Sequence, residues 1–184
     1  KYLPSRLFLH YNARALAGMH LENKGAQIRD AMKSVAKHGI CRERSWPYRA
    51  HRYAELPTDT AYQQALRFQS IAYQRVQHDL IELKECLAEG FPFVFGLTVY
   101  SGFTSASMQA RGVLALPKKE EEKIGGHAVL AVGYNDATQR FLIMNSWGES
   151  WGQRGYFSVP YDYVMQEKMA RDFWTLRAVE NDAA

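Results

Sequence analysis

The sequence contains few cysteines and none of the residue patterns typical of a metal site. Cys41 and Cys86 are the only two, too few for the disulfide framework of a small secreted domain. Neither a C-x-x-C nor an H-E-x-x-H motif occurs, so nothing supports a structural or catalytic zinc site. We therefore expect no metal and no other cofactor.

Long apolar runs and clustered charge of one sign are also missing. No apolar stretch approaches the roughly 18 residues that a membrane helix needs. No secretory signal is visible, but the chain begins at Lys1 rather than Met, so the cellular compartment stays open. The net charge is only +4, and charged stretches such as KKEEEK at residues 118–123 mix both signs. A nucleic-acid-binding face would cluster its basic residues, so we expect neither a nucleic acid nor a membrane as partner.

The composition is that of a folded globular protein. Of 184 residues, 47% are hydrophobic and 23% charged, enough for one core or two small lobes. Apolar periodicity with helix start and stop residues predicts four helices, from Pro4-Ser5 to Gly18, from about Ala26 to His38, from Thr58 to about Phe68, and from Asp79 to Gly90. Residues 70–76 and most of 91–174 are predicted as strands. Helices followed by strands predict an α+β protein with a helical lobe at 1–89 and a β-rich lobe at 90–184.

The stretch from Gly125 to Phe157 contains the clearest chemical signal. His127 begins an apolar run that ends at Gly133, and a second apolar run, residues 141–144, ends at Asn145. Asn135-Asp136 between them favours a turn. Because the two ends of an antiparallel hairpin lie opposite each other, we expect the side chains of His127 and Asn145 to meet.

These motifs resemble those of the papain-like cysteine peptidases. The resemblance rests on GGHAVLAVGY (125–134) followed by NSWGESWGQRGYF (145–157), and the GGHA form is similar to the bacterial branch. It extends back through SWPY (45–48) to PSRLFLHYNAR (4–14), so it covers nearly the whole chain. It implies a papain-like two-lobe fold, with a helical left lobe and a β-barrel-like right lobe, and a cysteine-type endopeptidase activity.

The resemblance also implies roles for individual residues. His127 is expected to exchange protons with a catalytic thiol, Asn145 to orient its imidazole, and Trp147 to shield their hydrogen bond. Substrate would lie between the lobes, against Gly25, Ala26, Gln27 and Ile28 on one side and Gly125, Gly126 and Ala128, with Val99 as a weaker candidate, on the other. Such a lining suggests an apolar or aromatic side chain two positions before the cut, although Ile28 fits packing in a helix core equally well. The family has Gly at the position of Ala26. Backbone pairing with substrate is kept at this position only if Ala26 has a negative φ.

The nucleophile that this family requires is missing. Its cysteine lies about 130–150 residues before the His and Asn, which places it before Lys1. Cys41 precedes SWPY and Cys86 lies among helical leucines, so both are predicted to be small buried apolar residues. The Gly-rich run before the nucleophile, and the Gln that helps form the oxyanion hole, are absent too. We therefore expect the central catalytic helix to be absent from this chain and a companion N-terminal segment to carry the Cys.

Three explanations account for the missing segment: cleavage of a parent peptidase, a sequence trimmed at its N-terminus, or loss in an inactive homologue. We favour cleavage or trimming of an active parent, because an inactive homologue has little reason to keep both His127 and Asn145. The alternative is a catalytically inactive homologue that binds peptides in the same cleft. A transferase with the same chemistry on another acyl acceptor also stays open. Without the central helix, the chain alone is expected to be inactive and unstable.

Overall fold

The computed structural model describes residues 2–180, which form two compact units. The first contains the described residues up to Gln74 together with those from Leu176 on, and the second spans Arg75–Thr175. Helices and antiparallel strands are both present, which agrees with the α+β prediction. The division into lobes at 1–89 and 90–184 stays a prediction. Within residues 2–180, no helix combines the length and the apolar character needed to cross a membrane.

The first unit is mainly helical. Its elements are α1 (Arg6–Leu16), α2 (Ile28–His38), α3 (Asp59–Ala65) and β1 (Ser70–Arg75), with 3₁₀ turns at Ala50–Arg52 and Leu66–Phe68. Ser5 begins α1 because its Oγ accepts a hydrogen bond from the backbone N–H of Phe8 at 3.1 Å. Both residues are buried, and Phe8 packs in a small core with Leu7, Cys41, Trp46, Ala61 and Ala65.

Two polar side chains of α1 hold the segment that leads into α2. Arg14 is completely buried, and its guanidinium donates to the backbone carbonyls of His10, His20, Glu22 and Tyr53. One turn earlier, His10 Nε2 donates to the carbonyl of Lys24 at 3.1 Å. Burial lowers the pKa of His10, and the neighbouring Arg14 charge lowers it further. The carbonyls of residues 20, 22 and 24 are thereby fixed to one face of α1.

The second unit is built on an antiparallel sheet. Its elements are α4 (Leu80–Ala88), β2 (Phe93–Tyr100), α5 (Ala106–Arg111), β3 (Lys123–Asn135), β4 (Arg140–Met144), β5 (Tyr156–Pro160), α6 (Tyr161–Val164) and β6 (Ala170–Val179), the last of which extends beyond the unit. Within the unit the strand order is β6-β2-β3-β4-β5. Each strand is antiparallel to its neighbours, so the sheet is a meander of four strands, β2 to β5, with β6 added beside β2.

Strict alternation along β2 defines the core of the second unit. Phe93, Phe95, Leu97 and Val99 are buried, whereas the residues between them are only half-buried. The ring of Phe95 stacks on that of Phe173, with centroids 5.2 Å apart and planes 15° apart. One face of the sheet therefore packs on an aromatic core, and the side chains of the other face are half-buried or exposed.

Several element boundaries differ from the sequence-based predictions. Helix α2 begins two residues later than predicted, because Gln27 has an extended backbone (ψ 141°) and forms the N-cap. Strand β3 begins at Lys123, so His127 lies inside the strand rather than at its start. The backbone of Gly125 and Gly126 pairs with β2 there, and backbone pairing does not depend on apolar side chains. The short helices α5 and α6 interrupt a region that was predicted mostly as strands.

Candidate active site

The β3–β4 hairpin brings the predicted pair together. Leu130 pairs with Met144 and Asn135 with Arg140, so β4 ends beside the middle of β3. Asn145, the next residue after β4, then lies level with the part of β3 that contains His127. Their side chains form a hydrogen bond between His127 Nε2 and Asn145 Oδ1 of 2.8 Å. The meeting of these side chains, predicted from the hairpin, is found in the structure.

A second hydrogen bond fixes the direction of this contact. The backbone N–H of Ser146 donates to the same Oδ1 at 2.8 Å, which identifies that atom as the amide oxygen. An amide oxygen only accepts, so His127 Nε2 must carry the proton. Nδ1 is then the ring nitrogen left to exchange a proton with another group. Asn145 is buried, with 8% exposed, and its Nδ2 has no partner among residues 2–180.

Aromatic side chains surround the imidazole. The ring of Trp147 lies 5.1 Å from that of His127, tilted by 33°, and Phe103 lies 6.1 Å away, edge-on. Phe103 also contacts Trp147 and Trp151, with centroids 5.5 and 5.6 Å away. Trp147 is 45% exposed, so its role as a shield stays a prediction. Phe103 was missed from the sequence because it lies in a 3₁₀ turn without periodicity.

The glycines of NSWGESWGQRGYF shape the loop that follows Asn145. The backbone N–H of Asn145 donates to the carbonyl of Gly155 at 2.8 Å, which closes the loop on itself. Gly152 has a φ of +60°, and a Cβ there would lie 2.5 Å from the carbonyl oxygen of Tyr156. The spacing of this motif thus serves a turn that presents Asn145 and Trp147 together.

The candidate substrate residues of the second unit lie on β3 and β2. Gly126 and Ala128 are exposed and face the side of β3 opposite to His127, because side chains alternate along a strand. A Cβ at Gly125 or Gly126 would meet no other atom within 4 Å, so both positions are open. Val99 is 8% exposed and packs in the apolar core. Its contact with substrate stays a prediction, which this burial disfavours.

The candidate substrate residues of the first unit form the segment before α2. Gly25, Ala26 and Gln27 are exposed and without regular secondary structure, and Ile28 is the half-buried first residue of α2. Ala26 does not have a positive φ, so the condition for backbone pairing is met. His10 holds the carbonyl of Lys24 directly before them. The segment is therefore held at Lys24 and at Gln27, whose carbonyl accepts from the backbone N–H groups of Asp30 and Ala31, and is exposed in between.

Neither cysteine of the chain has the surroundings of a nucleophile. Cys41 is fully buried in the core of the first unit, and burial raises its pKa to about 11. Cys86 is 2% exposed in the core of the second unit, where its Sγ contacts the carbonyl of Phe91 at 3.3 Å. A catalytic thiol needs a lowered pKa and access to substrate. The prediction that both are small buried apolar residues agrees with these positions.

No cluster that could hold a metal ion is found within the described part of the chain, residues 2–180. The chemistry available here is that of an oriented imidazole beside an open strand. Such a pair, presented on a hairpin of an α+β fold, is the arrangement found in thiol-dependent hydrolases of the Cys–His–Asn type.

Comparison with known proteins identifies the family. Residues 18–173 match the model of the papain family of cysteine proteases, so the chain belongs to that family. A peptidase C1-like protein of Acanthamoeba polyphaga mimivirus is 41% identical over 97% of this chain, and the match spans 60% of that protein's length.

Solved structures agree with this assignment. Xylellain, a cysteine protease from Xylella fastidiosa, superimposes with a TM-score of 0.89 and 39% identity, over 96% of this chain and 70% of that one. A Carica candamarcensis cysteine protease, at 24% identity, matches with a TM-score of 0.59 over 85% of this chain and 67% of that chain, and shares the fold. The similarity to a bacterial protease supports the resemblance to the bacterial branch, although the mimivirus relative is viral.

Proposed function

We propose that this chain supplies the His–Asn part of a cysteine-type endopeptidase, in which a companion segment supplies the thiol. The proposal is carried by the 2.8 Å contact between His127 Nε2 and Asn145 Oδ1, together with the Ser146 N–H that orients the amide. This contact holds the proton on Nε2 and directs Nδ1 at the reacting groups. Membership of the papain family supports the reaction class.

In this reaction His127 moves a proton between three groups. Nδ1 takes the proton of the thiol, and the resulting thiolate attacks the peptide carbonyl. The imidazolium then gives that proton to the leaving amine, and a thioester to the enzyme remains. Water next attacks the thioester as Nδ1 removes its proton, and the thiol is regenerated. Asn145 keeps the ring in one orientation and stabilises the imidazolium through Nε2–H.

Cys41 and Cys86 cannot supply the thiol from where they lie, since both are buried in cores. We therefore place the nucleophile on a segment other than residues 1–184, with the peptide in contact with Gly25, Ala26, Gln27 and Ile28 and with Gly125, Gly126 and Ala128. This burial also favours a second candidate function for the chain by itself. That function is a catalytically inactive peptide-binding module that uses the same residues.

A thiol-directed epoxide probe tests the proposal. The protein is purified with everything that stays bound, treated with the probe and analysed by intact mass. We expect a companion peptide or a longer precursor that contains one labelled Cys. His127→Ala should slow labelling by about 10²–10⁴-fold, the usual contribution of an acid–base group. His51→Ala, which changes an exposed histidine of the first unit, should label at the normal rate.

Two other outcomes of this experiment would contradict the proposal. If the folded protein contains no cysteine besides Cys41 and Cys86 and takes up no probe, the peptidase proposal is wrong. Peptide binding to that protein would then favour the binding module. If the probe reacts at the same rate in His127→Ala, a labelled Cys exists but His127 does not activate it.

A further inference from the structure

A row of three paired residues in the second unit ends in an exposed arginine. Gly96 of β2 pairs with Ala128 of β3 on one side and with Arg171 of β6 on the other. Residues directly opposite each other in an antiparallel pair point to the same face of a sheet. Ala128, Gly96 and Arg171 therefore share one face.

Burial shows which face this is. Leu97 and Ala170, the next pair along the same strands, are each 1% exposed and face the core. Side chains alternate along a strand, so the row of Gly96 faces away from that core. Ala128 and Arg171 are both exposed, as this requires.

The row forms a shallow depression, because its central residue has no side chain. Two strand spacings separate Ala128 from Arg171, about 10 Å between their Cα atoms. Along one side, the preceding row of Leu130, Val94 and Trp174 provides a half-buried apolar wall. A ligand side chain entering beside Ala128 would pass over Gly96 toward Arg171.

The charge of Arg171 is not matched by an acidic side chain in its surroundings. It makes no ion pair with any other residue in the range 2–180. The adjacent Asp172 has a φ of +63°, and its Oδ1 accepts a hydrogen bond from Trp174 Nε1 at 2.6 Å. This carboxylate is therefore engaged by the indole. A guanidinium presents a planar fork of donors that fits a carboxylate in two places.

We propose that Arg171 makes this depression a subsite for an acidic side chain of the substrate. The proposal rests on the proposed peptidase function, in which Ala128 lines the pocket for the residue two positions before the cut. It departs from the apolar preference that Ile28, Gly126 and Ala128 alone suggest. Glutamate is the expected residue, because its side chain can extend across Gly96 and place its carboxylate next to Arg171.

Four fluorogenic peptides test this with the active parent protein. They are identical except for Glu, Gln, Leu or Lys two positions before the cut. We expect kcat/KM for the Glu peptide to exceed that for the isosteric Gln peptide about tenfold, the contribution of one hydrogen bond between charged groups. Raised salt should reduce this ratio, because the site is exposed.

Variants separate this role from a structural one. Arg171→Met should bring the ratio of Glu to Gln close to one and leave cleavage of the Leu peptide unchanged. Arg171→Glu should make the Lys peptide better than the Glu peptide. Lys119→Met, which removes the same charge from an exposed loop of the second unit, should keep the wild-type ratio. A loss of all four activities together would indicate damage to the fold and contradict a specificity role.

The proposal fails if the wild type does not distinguish Glu from Gln, or if Arg171→Met leaves their ratio unchanged. Failure of the peptidase function itself looks different, since no peptide is cut and no probe is taken up. Binding of the same peptides, followed by fluorescence anisotropy, then provides the comparison without catalysis. Equal affinity for the Glu and Gln peptides would overturn the subsite in that case too.

Discussion

Arg14 shows how a single charged side chain can be accommodated inside a small core. Burial lowers the pKa of its guanidinium, yet four carbonyl oxygens of three backbone segments accept its protons. The guanidinium also lies over the ring of Tyr53, 5.5 Å from its centroid. A buried charge is tolerated only with such complete pairing. Arg14 therefore fixes the segment around residues 20–24, which precedes the proposed substrate-binding backbone.

We predict that Arg14→Met lowers the free energy of unfolding of the first unit by about 3 kcal/mol or more. Methionine matches the apolar stem but leaves four part-buried carbonyls without this donor, and an unpaired buried acceptor costs about 1–3 kcal/mol. Urea unfolding followed by circular dichroism measures the change. Arg29→Met, at an exposed position of α2, should stay within about 0.5 kcal/mol of wild type. Equal effects of the two substitutions would show that the carbonyls find other donors.

The sequence predicted the contact between His127 and Asn145 but not the positions of Arg14 and Arg171, for a physical reason. His127 and Asn145 are placed by a local hairpin, whose turn and apolar runs are visible in the sequence. Arg14 donates to carbonyls of loop residues such as His20 and Tyr53. Those loops show no periodicity in the sequence, so the burial of Arg14 could not be predicted. Arg171 reaches its row only because β6 pairs with β2 and shifts register between Val94 and Gly96. Such long-range pairing leaves no local signal.

At the scale of elements, helix ends were predicted well where a glycine with a positive φ follows the helix. Gly18 and Gly39 follow α1 and α2, and both have a φ of +70°. They differ in their surroundings. A Cβ at Gly18 would meet nothing within 4 Å, whereas one at Gly39 would lie 1.8 Å from the carbonyl oxygen of Ala65. The backbone after α2 thus passes directly against the end of α3.

We predict that Gly39→Ala is much more destabilising than Gly18→Ala. Alanine at a positive φ costs about 1 kcal/mol at either position, and it costs more at Gly39, whose ψ of −158° lies in a region that only glycine adopts readily. Gly39→Ala also forces α3 away from the end of α2, for which we expect a further loss of about 1–3 kcal/mol. The difference between their urea midpoints therefore reports the combined cost of the close approach to Ala65 and of the backbone conformation of Gly39. Similar midpoints would mean that the end of α3 moves at little cost.

The β3–β4 hairpin is attached to two helices by one carboxylate. Asp136 in its turn accepts from Lys84 Nζ of α4 at 2.8 Å and from the hydroxyl of Tyr161 of α6 at 2.9 Å. Lys84 above all, and then Tyr161, hold the pKa of Asp136 below its ordinary value. A lowered pKa in the folded state means that the ionised form stabilises the fold above the unfolded pKa, about 3.9. This stabilisation is lost as the pH falls through the folded pKa.

We therefore predict that Asp136→Asn is less stable than wild type at neutral pH and equal to it once Asp136 is protonated. Urea midpoints measured from about pH 7 down through the acidic range below about pH 4 follow this convergence. Lys84→Met should remove part of the same stabilisation, so its effect and that of Asp136→Asn should not add in the double variant. Additive effects, or a difference that persists in acid, would rule out the ion pair as the cause.

At the scale of the whole molecule, the two compact units have cores of very different kinds. In the first unit, the described apolar core has six buried residues, Phe8 among them, supplemented by the polar network of Arg14. In the second, aromatic and aliphatic side chains of five strands pack together, among them Phe93, Phe141 and Phe157. Burial of apolar surface contributes most of the stabilisation of a fold. The unit with the larger core should therefore open less often.

We predict that backbone amides of α1 and α2 exchange with solvent at a lower free energy of opening than those of β2 and β3. Native-state hydrogen exchange followed by mass spectrometry measures both sets in one sample. Phe8→Ala, in the first core, should accelerate exchange in α1 and α2 and leave β2 and β3 nearly unchanged. Phe93→Ala, a matched truncation in the second core, should accelerate exchange in β2 and β3. If either substitution accelerates all four elements equally, the chain opens as one cooperative unit, and the smaller core does not set the stability of the first unit by itself.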